Sequence, residues 1–128
     1  ELPDDAVAVM EAVNLIEAGY SGWCECTWLV TTQREKAIDR VMARNQFSIE
    51  EATQRVDGQR SWELRAPASD HIFHNDGTLE ELIAEVRRVY RETYDLYRAG
   101  KLPQRKYDAW NEQRMAQMRA QGGAPGRP

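Results

Sequence analysis

An α/β fold with at least a small parallel sheet is predicted by three observations. Short apolar runs of strand length occur at Ala6 to Val9, Trp23 to Thr31 and Asp70 to His74. Segments with apolar residues at helical spacing follow them. Finally, Ser48 and Thr78 each have a glutamate three residues on, Glu51 and Glu81, the pattern with which a helix start satisfies its own free N–H groups.

In chain order, Ala6 to Val9 reads as a buried strand that runs into a turn or short helix over Met10 to Ile16. Gly19 and Gly22 punctuate the next stretch, and Trp23 to Thr31, rich in Trp, Cys, Thr and Val, reads as the second strand. Thr31 or Thr32 is placed to cap a helix over Gln33 to Asn45, whose Ala37, Ile38, Val41 and Met42 share a face. Ser48 opens a further helix with Ala52 and Val56 inward, and Gln59 to Leu64 continues as a short helix that ends before Pro67.

Asp70 to His74 then forms a short strand, and Asn75-Asp76-Gly77 a turn. From Thr78 the apolar stripe of Leu79, Leu82, Ile83, Val86, Val89 and Tyr90 predicts an amphipathic helix reaching about Tyr94. Gly100 and Pro103 mark a break. A last helix over Gln104 to Ala120 carries Tyr107, Trp110, Met115 and Met118, without a clean heptad, and docks on the domain or on a protein partner. A disordered tail is expected over 121–128.

The 128 residues, 41% of them hydrophobic, suffice for one domain with a real core. No apolar run approaches the roughly 20 residues that span a bilayer. Glu1-Leu2-Pro3-Asp4-Asp5 lacks the positive stretch of a signal peptide and an initiator methionine, which reads as a cytoplasmic protein with a processed, cloned or truncated boundary. A net charge of −4 argues against a nucleic-acid partner, while leaving room for a local arginine site. Cys24 and Cys26 are one residue apart and would share a strand face, where a local disulfide is strained. With only His71 and His74 beside them, buried strand cysteines in a reducing setting are the reading, and no metal ligands are assigned.

The centre of the sequence carries a more specific pattern. Arg40-Val41-Met42-Ala43-Arg44-Asn45-Gln46-Phe47-Ser48-Ile49-Glu50-Glu51-Ala52 leads to Arg55, Gln59 and Arg65, then to Ser69-Asp70 and Asn75-Asp76-Gly77-Thr78-Leu79-Glu80-Glu81-Leu82. Over approximately Val9 to Tyr90 this order and spacing resembles the dephospho-coenzyme A kinase family of P-loop kinases. The resemblance implies part of a three-layer α/β nucleotide-kinase fold over 1–100, with a helical lid at about 45–66 and helix 101–120 added to it. It also implies transfer of the ATP γ-phosphoryl group to the ribose 3′-hydroxyl of dephospho-coenzyme A, with ATP and magnesium used by the complete enzyme and none evident for this chain alone.

Residue roles follow from the same resemblance, and the chemistry makes them credible, because phosphoryl transfer needs positive donors around the migrating oxygens. Arg44 and Arg55 are implied as phosphate contacts with catalytic effect, and Arg40, one turn from Arg44 on the same face, as a further nucleotide contact. Asn75 and Gly77 belong to the loop beside the adenine, where Asn75 either positions the base or simply makes the turn. Glu11 contacts the acceptor or orders a basic partner, without being the catalytic base. Gln59 bonds within the closed lid or near the acceptor, or else caps a helix. Arg65 is a substrate contact at a position where the family commonly has lysine, which brings a different contact geometry. His74 stands where the family has an acidic or polar residue and reads as a strand-end histidine, and Cys24-Glu25-Cys26 replaces a cysteine-aspartate strand entry.

The sequence contains no Gly-x-x-x-x-Gly-Lys-Ser/Thr loop, which supplies phosphate donors and a magnesium-ligating hydroxyl, and the family's catalytic acid is missing as well. The expectation is therefore a segment whose partner is the missing N-terminal phosphate-binding half, inactive by itself. The alternatives are a degenerate relative acting as a binding or assembly module, and another P-loop kinase branch with a different small acceptor.

Overall fold

Four extended residues, Trp28–Thr31 (β1), pair in parallel with His71–His74 (β2), Trp28 lying opposite His71 and Thr31 opposite His74. The structure, a computed structural model, describes residue 3, residues 5–59 and residues 61–122. Parallel strands cannot be joined by a tight turn. Their connection here holds two helices, Arg34–Asn45 (α1) and Ile49–Asp57 (α2), followed by two 3₁₀ turns, Trp62–Leu64 and Ala66–Ala68. After β2 come Leu79–Arg98 (α3), which packs against β2, and Lys106–Ala120 (α4), which packs on the Ala66–Ala68 turn.

Both hydroxyl caps form, though each glutamate turns to the cap hydroxyl instead of the cap's backbone N–H. Ser48 Oγ accepts from the Glu51 amide at 3.2 Å and Thr78 Oγ1 from the Glu81 amide at 3.1 Å, while each hydroxyl donates to the same glutamate's carboxylate. The start of α1 differs from expectation. Thr31 belongs to β1, Thr32 Oγ1 donates to the Asn75 carbonyl, and the Gln33 amide at the helix entrance is satisfied from a distance by Asp76 Oδ1 at 2.7 Å. The helix ends at Gln46, a non-glycine residue in the left-handed conformation with φ 56°. Between Arg65 and Ser69, Pro67 sits in the first turn of its 3₁₀ helix, where its missing N–H has no bond to make.

Three strand expectations shrink. Ala6 to Val9 is exposed and irregular, since an apolar run becomes a strand only against a ladder partner and none of the described residues offers one. Of Trp23 to Thr31 only the last four residues are strand, because Tyr20–Trp23 closes into a 3₁₀ turn after Gly19, whose φ of 88° suits glycine. Asp70 stays outside β2. Cys24 and Cys26 consequently precede the sheet as half-buried free thiols, and burial pushes the Cys26 thiol up, away from thiolate reactivity. The short helix expected at Gln59 to Leu64 contracts to Trp62–Leu64, with Arg60 outside the described residues.

Phe73 is the largest fully buried side chain, with Trp28 and His71 set edge-on against it at 5.2 and 4.4 Å. A second small core joins Ile16, Ala68 and Tyr107, with Trp110 packed against it. The aromatic face of α4 is therefore used within the chain. The α3 stripe is only partly covered: Val89 is buried, but Leu79 and Tyr90 keep 66% and 44% of their surface exposed. The tail expected at 121–128 lies, from 123 onward, outside the described residues. Among the described residues no helix is long and apolar enough to cross a membrane.

Asp70 joins these parts. Its amide donates to the Thr27 carbonyl at 2.8 Å, its Oδ2 accepts from the Thr27 amide at 2.7 Å, and its Oδ1 accepts from the first amide of α4, at Lys106, at 2.9 Å. Asp70→Ala leaves two backbone donors without acceptors and should lower unfolding free energy by about 2–3 kcal/mol in urea titration. Amide exchange at Lys106 should accelerate together with that at Thr27, and independent rates at the two positions would refute a shared anchor.

Candidate functional site

The helical hairpin of α1 and α2 carries three of the arginines singled out by sequence, and the structure puts them in different situations. Arg40 is committed: its Nη1 donates to the Asn75 carbonyl at 2.7 Å and to Thr32 Oγ1 at 3.3 Å. Arg44, exposed in the last turn of α1, makes no ion pair or side-chain hydrogen bond among the described residues. Arg55, in the last turn of α2, lies over the ring of Phe47 with its guanidinium carbon 5.2 Å from the centroid. Phe47, Glu51, Gln54 and Arg55 line an open recess of about 300 Å³.

The base of the hairpin is latched by Arg34, whose Nε and Nη2 donate to the two carboxylate oxygens of Asp57 at 2.8 and 2.9 Å. This two-bond geometry fixes orientation as well as distance. The Arg34 hydrogen bonds hold the Asp57 carboxyl below the usual carboxylate range.

Asn75 and Asp76 form a strap across the entrance of α1. Beyond its bond from Arg40, Asn75 donates its amide to the Thr31 carbonyl at 2.6 Å; the Asp76 carbonyl accepts from Lys36 Nζ and its side chain from the Gln33 amide. Gly77 leaves room for the capping glutamate, since a Cβ there would meet Glu81 Oε2 at 2.8 Å. The described contacts thus unite Arg40, Asn75 and the α1 entrance.

The other residues singled out lie apart from that strap. Glu11 is exposed on the irregular segment before the first turn, and Gln59 is exposed after α2, its amide bonded to the Val56 carbonyl. Arg65 faces inward, its Nη2 3.0 Å from Glu17 Oε2, with under one fifth of either side chain exposed. The Arg65 Nε, both Glu17 oxygens and Ser21 Oγ find no hydrogen-bond partner in correct geometry. A compensated, largely buried guanidinium offers a ligand far less than a free one. Among the described residues no group of His, Cys, Asp and Glu is arranged to hold a metal.

Against this geometry the comparisons with known proteins are informative. Residues 1–81 match the family model described as dephospho-CoA kinase. The chain belongs to the dephospho-CoA kinase family. A dephospho-CoA kinase of Geobacter sulfurreducens is 36% identical over 88 residues, covering 69% of this chain and 45% of that protein. One of Synechococcus sp. (strain CC9902) is 32% identical over 81 residues, covering 63% and 41%, and one of Lactococcus lactis subsp. lactis 37% over 79 residues, covering 62% and 36%. The chain thus spans less than half the length of these dephospho-CoA kinases. No solved structure matches it. The mixed helix and small parallel sheet seen here agree with an α/β kinase-like fold.

Sequence reasoning missed the parts played by Phe47 and Glu17, and the latch between Arg34 and Asp57 at the hairpin base. Phe47 had one usable signal, an aromatic directly before a helix cap. Glu17 had none, because its partner is distant in sequence. The latch makes a pH prediction. A carboxyl depressed by folding contributes stability above its unfolded pKa and loses it as pH falls through the lower folded value. Exchange of α2 amides should therefore accelerate as pH is lowered through and below the ordinary carboxylate range, after correction for intrinsic rates, and Arg34→Gln should flatten that dependence. An unchanged profile in Arg34→Gln would show that the latch does not govern the hairpin.

Proposed function

We propose that these residues are the acceptor-side and lid portion of a dephospho-CoA kinase, which moves the γ-phosphoryl group of ATP to the ribose 3′-hydroxyl of dephospho-coenzyme A. The observation that carries this reading is the family match over residues 1–81 combined with Arg44 and Arg55, two arginines without acidic partners among the described residues, on one latched helical hairpin. In the reaction the bond from phosphorus to the ADP oxygen breaks, a bond from phosphorus to the ribose 3′-oxygen forms, and the hydroxyl proton leaves to a base outside these residues. Charge spreads over the phosphoryl oxygens as the group moves. Arg44 and Arg55 donate to those oxygens when the hairpin lies over the nucleotide, and Arg40 holds the Asn75 carbonyl so that the 75–77 loop keeps its place beside the adenine.

Glu11 and Gln59 are assigned to the acceptor side. Arg65 acts there through Glu17: its ion pair fixes the turn that follows Glu11, in place of the direct substrate contact expected from sequence. Magnesium, when bound in the complete enzyme, offsets phosphate charge, and its direct ligands belong to a phosphate-binding loop that this sequence does not contain. The partner of this portion is accordingly the half that bears that loop. The alternative of a non-catalytic assembly module draws on Trp110, Met115 and Met118 of α4 as a contact face, of which Trp110 is already packed against the Ile16, Ala68 and Tyr107 cluster within the chain.

The test uses the protein expressed from its complete gene. ATP-dependent phosphorylation of dephospho-coenzyme A, followed by ADP release and product mass, should be present in the wild type. Arg55→Ala and Arg44→Ala should each lower kcat by about 100-fold or more, the scale of losing one charge-stabilising donor. Absence of phosphoryl transfer in the wild type, or full activity in both variants, would sink the reading.

A further inference from the structure

Arg55 is held in place by an aromatic ring where an acid would ordinarily stand. The carboxylate one helical turn before it is Glu51, the usual partner at that spacing. That carboxylate is engaged elsewhere: Glu51 Oε1 accepts from Ser48 Oγ at 3.2 Å in the cap of α2. Side chains on a helix lean toward its N-terminus. From the last turn of α2, the long arginine thus reaches back along the helix until its guanidinium covers Phe47, just ahead of the cap.

The difference between a ring and an acid matters for what the guanidinium can still do. A carboxylate occupies N–H donors and cancels the charge, as Asp57 does for Arg34 at the other end of the same hairpin. An aromatic face attracts the cation through its quadrupole and leaves the donor edge and the positive charge free. Phe47 and Arg55 both line the recess of about 300 Å³, together with the Gln54 amide and with Glu51, whose carboxylate accepts from Ser48 Oγ in the helix cap.

We propose that Phe47 is the positioning residue for Arg55, holding its guanidinium over the ring with the donor edge free to take the terminal oxygens of a nucleoside polyphosphate. The inference rests on the reading of the hairpin as a phosphate-closing lid, and adds to it the reason why Arg55 is ready before the phosphate arrives. A guanidinium already restrained loses less freedom on binding than one that wanders. The ring also lies at the hairpin tip, between Gln46 and Ser48, so it travels with the helix that it serves.

The experiment uses the protein from its complete gene and inorganic pyrophosphate as probe. In the wild type the Arg55 Nε–H resonance should carry an upfield ring-current shift that disappears in Phe47→Leu and persists in Phe47→Tyr. Pyrophosphate should bind about 3- to 5-fold more weakly to Phe47→Leu, the scale of one exposed cation–aromatic contact, and close to normally to Phe47→Tyr. Equal affinity in Phe47→Leu and wild type, with Arg55→Ala weakened, would overturn the role of Phe47 and leave the arginine reading standing. Unchanged affinity in both Phe47→Leu and Arg55→Ala would overturn the two together. An equal loss in the leucine and tyrosine variants would mean that Phe47 acts only through packing, and would also overturn the proposal.

Discussion

The carboxylate of Asp70 meets two chain segments that no local interaction brings together. One oxygen receives the amide of Thr27 just before β1, and the other receives the first amide of α4, 36 residues further along. A pair of four-residue parallel strands has too few ladder bonds to persist unaided, and parallel pairing requires a long closure besides. Asp70 fastens the entry of that pair on both sides, through its amide and its side chain, and in the same place satisfies a helix start that has no cap of its own from Arg105. The sheet, the turns before it and the last helix are thus referred to one side chain.

The family match ends at residue 81, inside the first turn of α3, yet contacts from beyond that point support the matched part. Arg105 Nη1 donates to the carbonyls of Gly22 and Cys24 at 2.7 and 2.8 Å, and Arg114 Nη1 to that of Glu17 at 3.1 Å. These carbonyls belong to turns without a regular ladder, so their acceptors must be met from outside. Tyr107 closes over the same region, 3.5 Å from where a Cβ on Gly22 would stand. The C-terminal helix is in this sense structural support for the turns between Glu17 and Cys24, and its weakly patterned sequence suits a helix anchored by a few long side chains more than by a continuous apolar stripe.

What was legible in the sequence was what is local. The Ser48 and Thr78 caps, the helical stripes and the break at Gly100 depend on residues within a turn of one another and formed, although α3 runs on past Tyr94 to Arg98 and α4 starts at Lys106, two residues after Gln104. Strand extents were not legible, because Ala6 to Val9 and Trp23 to Thr27 have strand-like composition but lack the ladder partner that only the fold supplies. Among the candidate site residues, Arg40, Arg44 and Arg55 were singled out through the family resemblance, with their charge and spacing making it credible. Their differing states, one bonded to a carbonyl, one open and one laid on a ring, follow from Asn75 and Phe47, whose positions emerge only on folding. Arg65 shows the same limit: a charge that looks available in the sequence is matched by Glu17, 48 residues earlier.

The latch between Arg34 and Asp57 has a mechanical consequence. Together with the bonds of Gln33, Lys36 and Arg40 to the Asn75–Asp76 strap, it clamps the hairpin at the end nearest the sheet, and among the described residues no such bonds tie the Gln46 end to the sheet or to the strap. Twelve helical residues make that arm roughly 18 Å long. A rotation of only about 5° at the clamp then sweeps the far end by roughly 1.5 Å, about half the length of a hydrogen bond. Leverage of this kind magnifies small adjustments at the fulcrum, so that substitutions at the clamp would displace the Gln46 end without changing any residue there.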